Sequence, residues 1–279
     1  MTLLLQTIPR ILPFYGSRIL EDGPTAAELQ LEADYAAEID PALAMAYLYA
    51  INRLQPMYGA SEAEIKQALL DMYQREDLYS STLYDVVSYN GRAAYNIGGR
   101  IGLDTLGLDG TFDLQDPEIS GNLEPHYLRL SDIDGEYSLL DTTAGEVAQQ
   151  ARMAADGGQE WDTLYNFLTL WYRGRVAIRS YNIANTETVR MSRIGLLASF
   201  IGNGVTGVIH RTAGDDRVCP ICQPLNGKQY TAANIYDPLS SIGADQIPLH
   251  GRCRCYYEPI RKGWVIPAVI WTGFELGDE

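Results

Sequence analysis

Apolar residues recur at helical spacing along most of the chain and give way to short strand-like runs near its C-terminal end. Pro24 precedes TAAELQLEADYAAEI, where Thr25 and Glu28 form the capping-box pair of a helix start. Pro41 is expected to open a second helix, PALAMAYLYAINRL, in a first-turn position where its missing N–H costs nothing. Ser61 and Glu64 repeat the capping pattern ahead of SEAEIKQALLDMYQRE, in which Ile65, Ala68, Leu69 and Met72 form one apolar stripe. The next stretch, LYSSTLYDVVSYNGRAAYNIGGRIGL, is apolar and Tyr-rich, and Gly98, Gly99 and Gly102 predict a turn or hinge at its end.

Residues 103–141 change character. Gly107, Gly110, Pro117, Gly121, Pro125 and Gly135 punctuate an acidic stretch that reads as a loop-rich excursion with short strands. Helix returns in TTAGEVAQQARMAADG and in the long run from EWDTLYNFL to LLASFIGNG. VTGVIHR then has strand composition, Asp215-Asp216 suits a turn, and Asn226-Gly227 is a turn that brings KQY back as a second strand. CRCYYEPI supplies a third. The expected fold class is α+β, a mostly helical N-terminal region followed by a small stapled β-hairpin unit at the C-terminal end.

The length of 279 residues allows one large domain or two smaller ones. No apolar run approaches the roughly 20 residues that span a bilayer, so no membrane partner is expected. The apolar start, MTLLLQTIPRILPFYGSRIL, lacks a basic lead and is broken by Pro9 and Pro13, so it reads as an arm rather than a secretory signal. Charge divides the chain. Residues 1–172 carry 9 Lys+Arg against 27 Asp+Glu, a balance of −18, and residues 173–279 carry 12 against 9, a balance of +3. An acidic front half is a poor surface for duplex DNA. It suits a solvated helical face or docking against a basic protein. Nineteen Tyr against five Phe fit either partner surfaces or the protein's own helix seams.

All four cysteines lie in two short stretches, CPICQPLNG and LHGRCRC. Cys219 and Cys222 have the spacing of a zinc knuckle, and His250, Cys253 and Cys255 follow after a polar loop over residues 223–249. Five candidate ligands face an ion that takes four. Cys219, Cys222 and His250 are three of them, and the fourth is Cys253 or Cys255, which share a face if they lie on a strand. Reduced cysteines packed as small hydrophobes, or a disulfide-linked loop, are the alternatives. The thiolate-rich set lacks HExxH and deaminase patterns, so the expected role is a structural zinc clip. His126 and His210 read as surface or packing residues.

The run HRTAGDDRVCPICQPLNGKQY, followed by IPLHGRCRC and preceded by IANTETVRMSRIG, resembles the signature of the phage minor head, or head morphogenesis, protein family (phage Mu F-like). Asn185 stands where that family commonly has Arg, and Gly251 where it commonly has Pro. The resemblance covers about residues 173–260, which it marks as the signature domain. The acidic region 1–172 lies before it and an apolar tail, 261–279, after it. It implies a viral structural protein of the virion, a minor head protein acting in capsid assembly at the portal vertex after a stay in the host cytoplasm. The implied partners are the portal protein and other head proteins, including the major capsid protein, with a role in DNA packaging or ejection. Only about twenty residues follow the motif, so no appended effector domain is expected. The tail, with Trp264, Trp271 and Phe274, is expected to pack on its own domain or dock into a partner.

Two other readings stand beside this one. A zinc-dependent nuclease or hydrolase would draw on Asp215, Asp216, Glu187 and His210. A zinc-stabilised nucleic-acid module would use Arg211, Arg217, Lys228, Arg252, Arg254, Arg261 and Lys262, although no finger-type recognition helix follows the ligands.

Overall fold

The computed structural model describes residues 24–76, 78–112, 117–133, 135, 138–212, 218–231 and 247–260. The arm, Asp215-Asp216 and the C-terminal tail lie outside the described residues.

Six helices and a three-stranded sheet make up the described chain: α1 (Ala26–Arg53), α2 (Glu62–Glu76), α3 (Leu78–Leu106), α4 (Pro117–Ser131), α5 (Leu139–Asp156), α6 (Trp161–Gly202), β1 (Gly207–Arg211), β2 (Gln229–Thr231) and β3 (Tyr256–Pro259). The α+β expectation holds. Both capping boxes form. The Thr25 hydroxyl accepts from the Glu28 N–H at 3.2 Å while the Thr25 N–H donates to the Glu28 carboxylate at 2.7 Å. Ser61 and Glu64 repeat this exchange ahead of α2 at 3.3 and 2.9 Å.

Three sequence expectations are corrected. Pro41 lies inside α1 rather than opening a second helix. A proline there sacrifices one backbone bond and crowds the preceding turn. The helix continues because Ile39, Ala42, Leu43, Ala46 and Tyr47 are buried on either side of it.

Gly98, Gly99 and Gly102 do not end a helix; α3 runs through them to Leu106. A Cβ at Gly98 would fall 1.8 Å from the Ser192 carbonyl oxygen of α6, and one at Gly195 of α6 would fall 2.0 Å from the Tyr95 carbonyl oxygen of α3. The glycines allow two long helices to touch backbone to backbone.

The excursion at 103–141 contains α4, and no strand forms among its described residues. Pro117 sits at the first position, where a helix tolerates proline, whereas Pro125 lies inside the helix at the cost of one backbone bond. Leu123, Tyr127 and Leu130 give α4 a buried face.

Helix α6 organises the molecule. Its 42 residues span about 63 Å at 1.5 Å per residue. It crosses residue 172, so the acidic region and the signature region share it. From Leu164 to Ile194 it packs with α1, α3 and α5 into one helical core. Val189, Leu196, Leu197 and Phe200, toward its end, join Val208, Ile247, Leu249 and Tyr257 in a second, smaller core with three of the cysteines. Residues 184–197 are buried on every side. The buried tyrosines serve the protein's own seams: Tyr35, Tyr47, Tyr73, Tyr95, Tyr127 and Tyr257 are almost wholly enclosed.

The sheet is antiparallel in the order β2-β1-β3. Register places Val208 opposite Tyr230 and His210 opposite Tyr257. The Asn226-Gly227 turn forms as expected. Gly227 adopts φ +85°, and its N–H donates to the His210 carbonyl at 2.8 Å.

Candidate metal centre

The two cysteine stretches close on one another between β1 and β3. The first is a tight knuckle. The Cys222 N–H donates to the Cys219 carbonyl at 3.1 Å and lies 3.3 Å from the Cys219 sulfur. A short 3-10 turn, Gln223–Leu225, carries the chain on toward β2. In the second stretch the Cys253 N–H donates back to the His250 carbonyl at 3.2 Å, and Arg252 at the tip takes φ +64°.

His250 is oriented by its own loop. Its Nδ1 donates to the Gly251 carbonyl at 2.7 Å, leaving Nε2 to face the thiols. Such an outer hydrogen bond fixes the tautomer that a metal ligand needs. Nε2 lies 2.9 Å from Cys219 Sγ and 3.1 Å from Cys222 Sγ. Cys222 Sγ lies 4.0 Å from Cys253 Sγ, close to the roughly 3.8 Å that separates two sulfurs on a tetrahedral zinc with 2.3 Å bonds. The donors form two triads, Cys219/Cys222/His250 and Cys222/Cys253/Cys255, which share Cys222. All four cysteines are free thiols.

The donor set fits a metal ion. It is three or four sulfurs and one imidazole nitrogen, three of the cysteines are buried, and among the described residues the cluster contains no carboxylate. Its electrostatics favour thiolate at Cys219 and Cys253 and oppose it at Cys222 and Cys255. Burial opposes ionisation of Cys219, yet N–H groups of Cys222 and Ile221 and the nearby imidazole hold its pKa below the ordinary thiol range. A hydrogen bond from the Cys255 thiol pulls Cys253 well down despite its burial. The same bond, with burial, drives Cys255 up. Burial and the neighbouring Cys253 charge raise Cys222. His250 is held up against its burial by the Gly251 carbonyl and the Cys253 and Cys219 sulfurs.

The loop is tied to the helical body by two arginines. Arg193 of α6 donates through Nε to the Cys255 carbonyl at 3.2 Å and through Nη1 to the Glu28 carboxylate at 2.7 Å. Ser192 donates to the same carboxylate at 2.5 Å. Arg252 donates to the Asn182 side chain at 3.1 Å and lies over the Tyr181 ring.

The other singled-out residues have separate places. His126 is a packing histidine, buried in α4 with Nε2 2.6 Å from the Glu187 carboxylate. Arg129 donates to its Nδ1 at 3.1 Å. Glu187 is buried and paired with Arg190 and His126. Burial opposes its charge, but His126 and Arg190 pull its pKa down to about 2. His210 is enclosed in β1, edge-on to Tyr257 and apart from Glu187. Of the basic set, Arg211 pairs with Glu258 at 2.6 Å, Lys228 lies over Tyr230, and Arg217, Arg261 and Lys262 are outside the described residues. The buried ion network around Glu28, Glu187, Arg190 and Arg193 is what the sequence reading missed. Its trace in the sequence is a polar run, NTETVRMSR, inside a long helix whose flanks are apolar.

Comparison with protein-family models, characterised proteins and solved structures finds no match for this chain.

Proposed function

We propose that the chain is a structural minor head protein of a tailed phage, in which one zinc ion staples the C-terminal β-unit onto the long helix. The observation that carries this reading is spatial. The three sequence pieces that resemble the head-morphogenesis signature are distant in the chain, yet they meet. The two cysteine stretches close into one donor cluster, and that cluster rests on the NTETVRMSR segment of α6 through Arg193.

Cys219, Cys222, His250 and Cys253 would hold the zinc, with Cys255 donating its S–H to the Cys253 sulfur. The ion supplies cross-linking, on the order of 10 kcal/mol of folding free energy. The residues themselves orient the donors and bury the joint. Of the carboxylates that a hydrolytic reading would use, Glu187 is held by His126 and Arg190 within the helical body, and Asp215 and Asp216 lie outside the described residues.

Two measurements test the proposal separately. Elemental analysis of the purified chain should find one zinc per molecule, and a metal-free chain with an unchanged fold would sink the staple. Electron cryo-microscopy of virions carrying a tagged copy should place it inside the head at a single vertex, beside the portal. Uniform labelling of the shell, or absence from virions, would sink the head assignment.

A further inference from the structure

Helix α6 is apolar on two sides over its first five turns. Leu164, Leu168 and Val176 face the helical core. Away from them, Phe167, Leu170 and Ile178 are 45%, 71% and 52% exposed. At 3.6 residues per turn these three, with Gly174 and Tyr181, fall within an arc of about 80° and a line about 21 Å long. A scattered exposed Leu needs no explanation, but a continuous line does. A helix that is apolar all round is normally covered all round. Gly174 sits mid-line, and a Cβ there would meet nothing within 4 Å. Another backbone can therefore approach closely at that point.

The rim indicates what covers it. Arg173 is exposed beside Gly174, and Arg252 lies over Tyr181 at the upper end. Neither has a carboxylate partner among the described residues. On the other rim, Arg175 is held by Glu146 at 2.5 Å. Asp162, at the foot, lies in the first turn, where the helix dipole already favours an acid. The rim thus carries two arginines, Arg173 and Arg252, that no described carboxylate neutralises. A second copy fits poorly. Antiparallel pairing about Gly174 sets Arg173 against its own counterpart.

We infer that this face of α6 receives an amphipathic helix of a partner protein, with a small residue over Gly174 and Asp or Glu along its flanks. Phe167, Leu170, Arg173, Gly174 and Ile178 lie on α6 itself, whereas Arg252 belongs to the 250–255 loop. Two synthetic 20-residue helical peptides with the same Leu/Ala stripe, one flanked by Glu and one by Lys, serve as probes in calorimetric titrations of the full chain. The Glu-flanked peptide should bind with a Kd on the order of 10 µM and at least about ten-fold more tightly than the Lys-flanked one. Leu170→Asp or Ile178→Asp should abolish binding without changing the circular dichroism or the melting temperature, both positions being exposed. Arg173→Glu should reverse the flank preference. Equal binding of the two peptides, or none at 1 mM, overturns the inference. So does self-association of the free chain that Leu170→Asp abolishes, because the occupant is then a second copy.

Discussion

Glu187 is a carboxylate sealed inside the protein, and its partners set its behaviour. Its folded pKa lies near 2, below the ordinary value of 4.5. It therefore stabilises the fold fully above about pH 4.5, and that contribution falls away as the pH drops toward 2. Glu187→Gln should cost about 3 kcal/mol at neutral pH, since it leaves Arg190 buried without its charge partner. It should also flatten the acid limb of stability between pH 5 and 2, read by urea denaturation at a series of pH values. An unchanged acid limb would show that the carboxylate is not ionised in the folded protein. Gly98 offers a steric counterpart. Gly98→Ala puts a methyl where the Ser192 carbonyl sits, and it should lower stability by about 2 kcal/mol or more through overpacking. The fourth ligand also belongs to this scale. Cys253→Ser should lower zinc affinity by at least about 100-fold, whereas Cys255→Ser should retain one equivalent, as measured by competition with a chromogenic chelator. A reversed pair of results would exchange the two roles.

At the scale of elements, α6 and the metal loop are joined through Arg193. This residue holds the Cys255 carbonyl on one side and Glu28, in the first turn of α1, on the other. Arg193→Met should leave Glu28 buried without its cation, at a cost of about 3–5 kcal/mol. Hydrogen exchange should show the first turn of α1 and the 250–255 loop losing protection together. Loss at only one of them would break the link. The elements differ in how legible they were. Helix starts at Thr25 and Ser61 were readable because the donors and acceptors that cap them are neighbours in sequence. The knuckle and the Asn226-Gly227 turn were readable for the same reason. Pro41, the α3 glycines and α4 were misjudged because distant chain decides them. A glycine in a helix looks like a break until the second backbone that it accommodates is in view. The choice between Cys253 and Cys255 stayed open because both lie within reach of Cys222, and only the hydrogen bond between them tells them apart.

At the scale of the whole molecule, the described residues form two cores that share one helix. Removing the proposed zinc should therefore affect them unequally. Chelation with 1,10-phenanthroline should release the sheet and the 218–260 segment to rapid exchange, while most helical circular dichroism survives. The helical core keeps α6 through residues such as Ala184, Met191 and Ile194, which belong to it rather than to the metal unit. Complete loss of helix on chelation would show that the two cores fold only as one.

The shared helix also imposes an order in time. Synthesis proceeds from the N-terminus, and β1 finds its central place in the sheet only when Tyr256–Pro259 has been made. Until then Val189, Leu196, Leu197 and Phe200 of α6 await the half of their core that is still to be translated. The nascent chain therefore displays an apolar helix end for the time the ribosome takes to add some fifty residues, a few seconds at about 5–20 residues per second. Chaperone capture and premature sticking would compete with folding during that interval, and the last cysteine to emerge closes it.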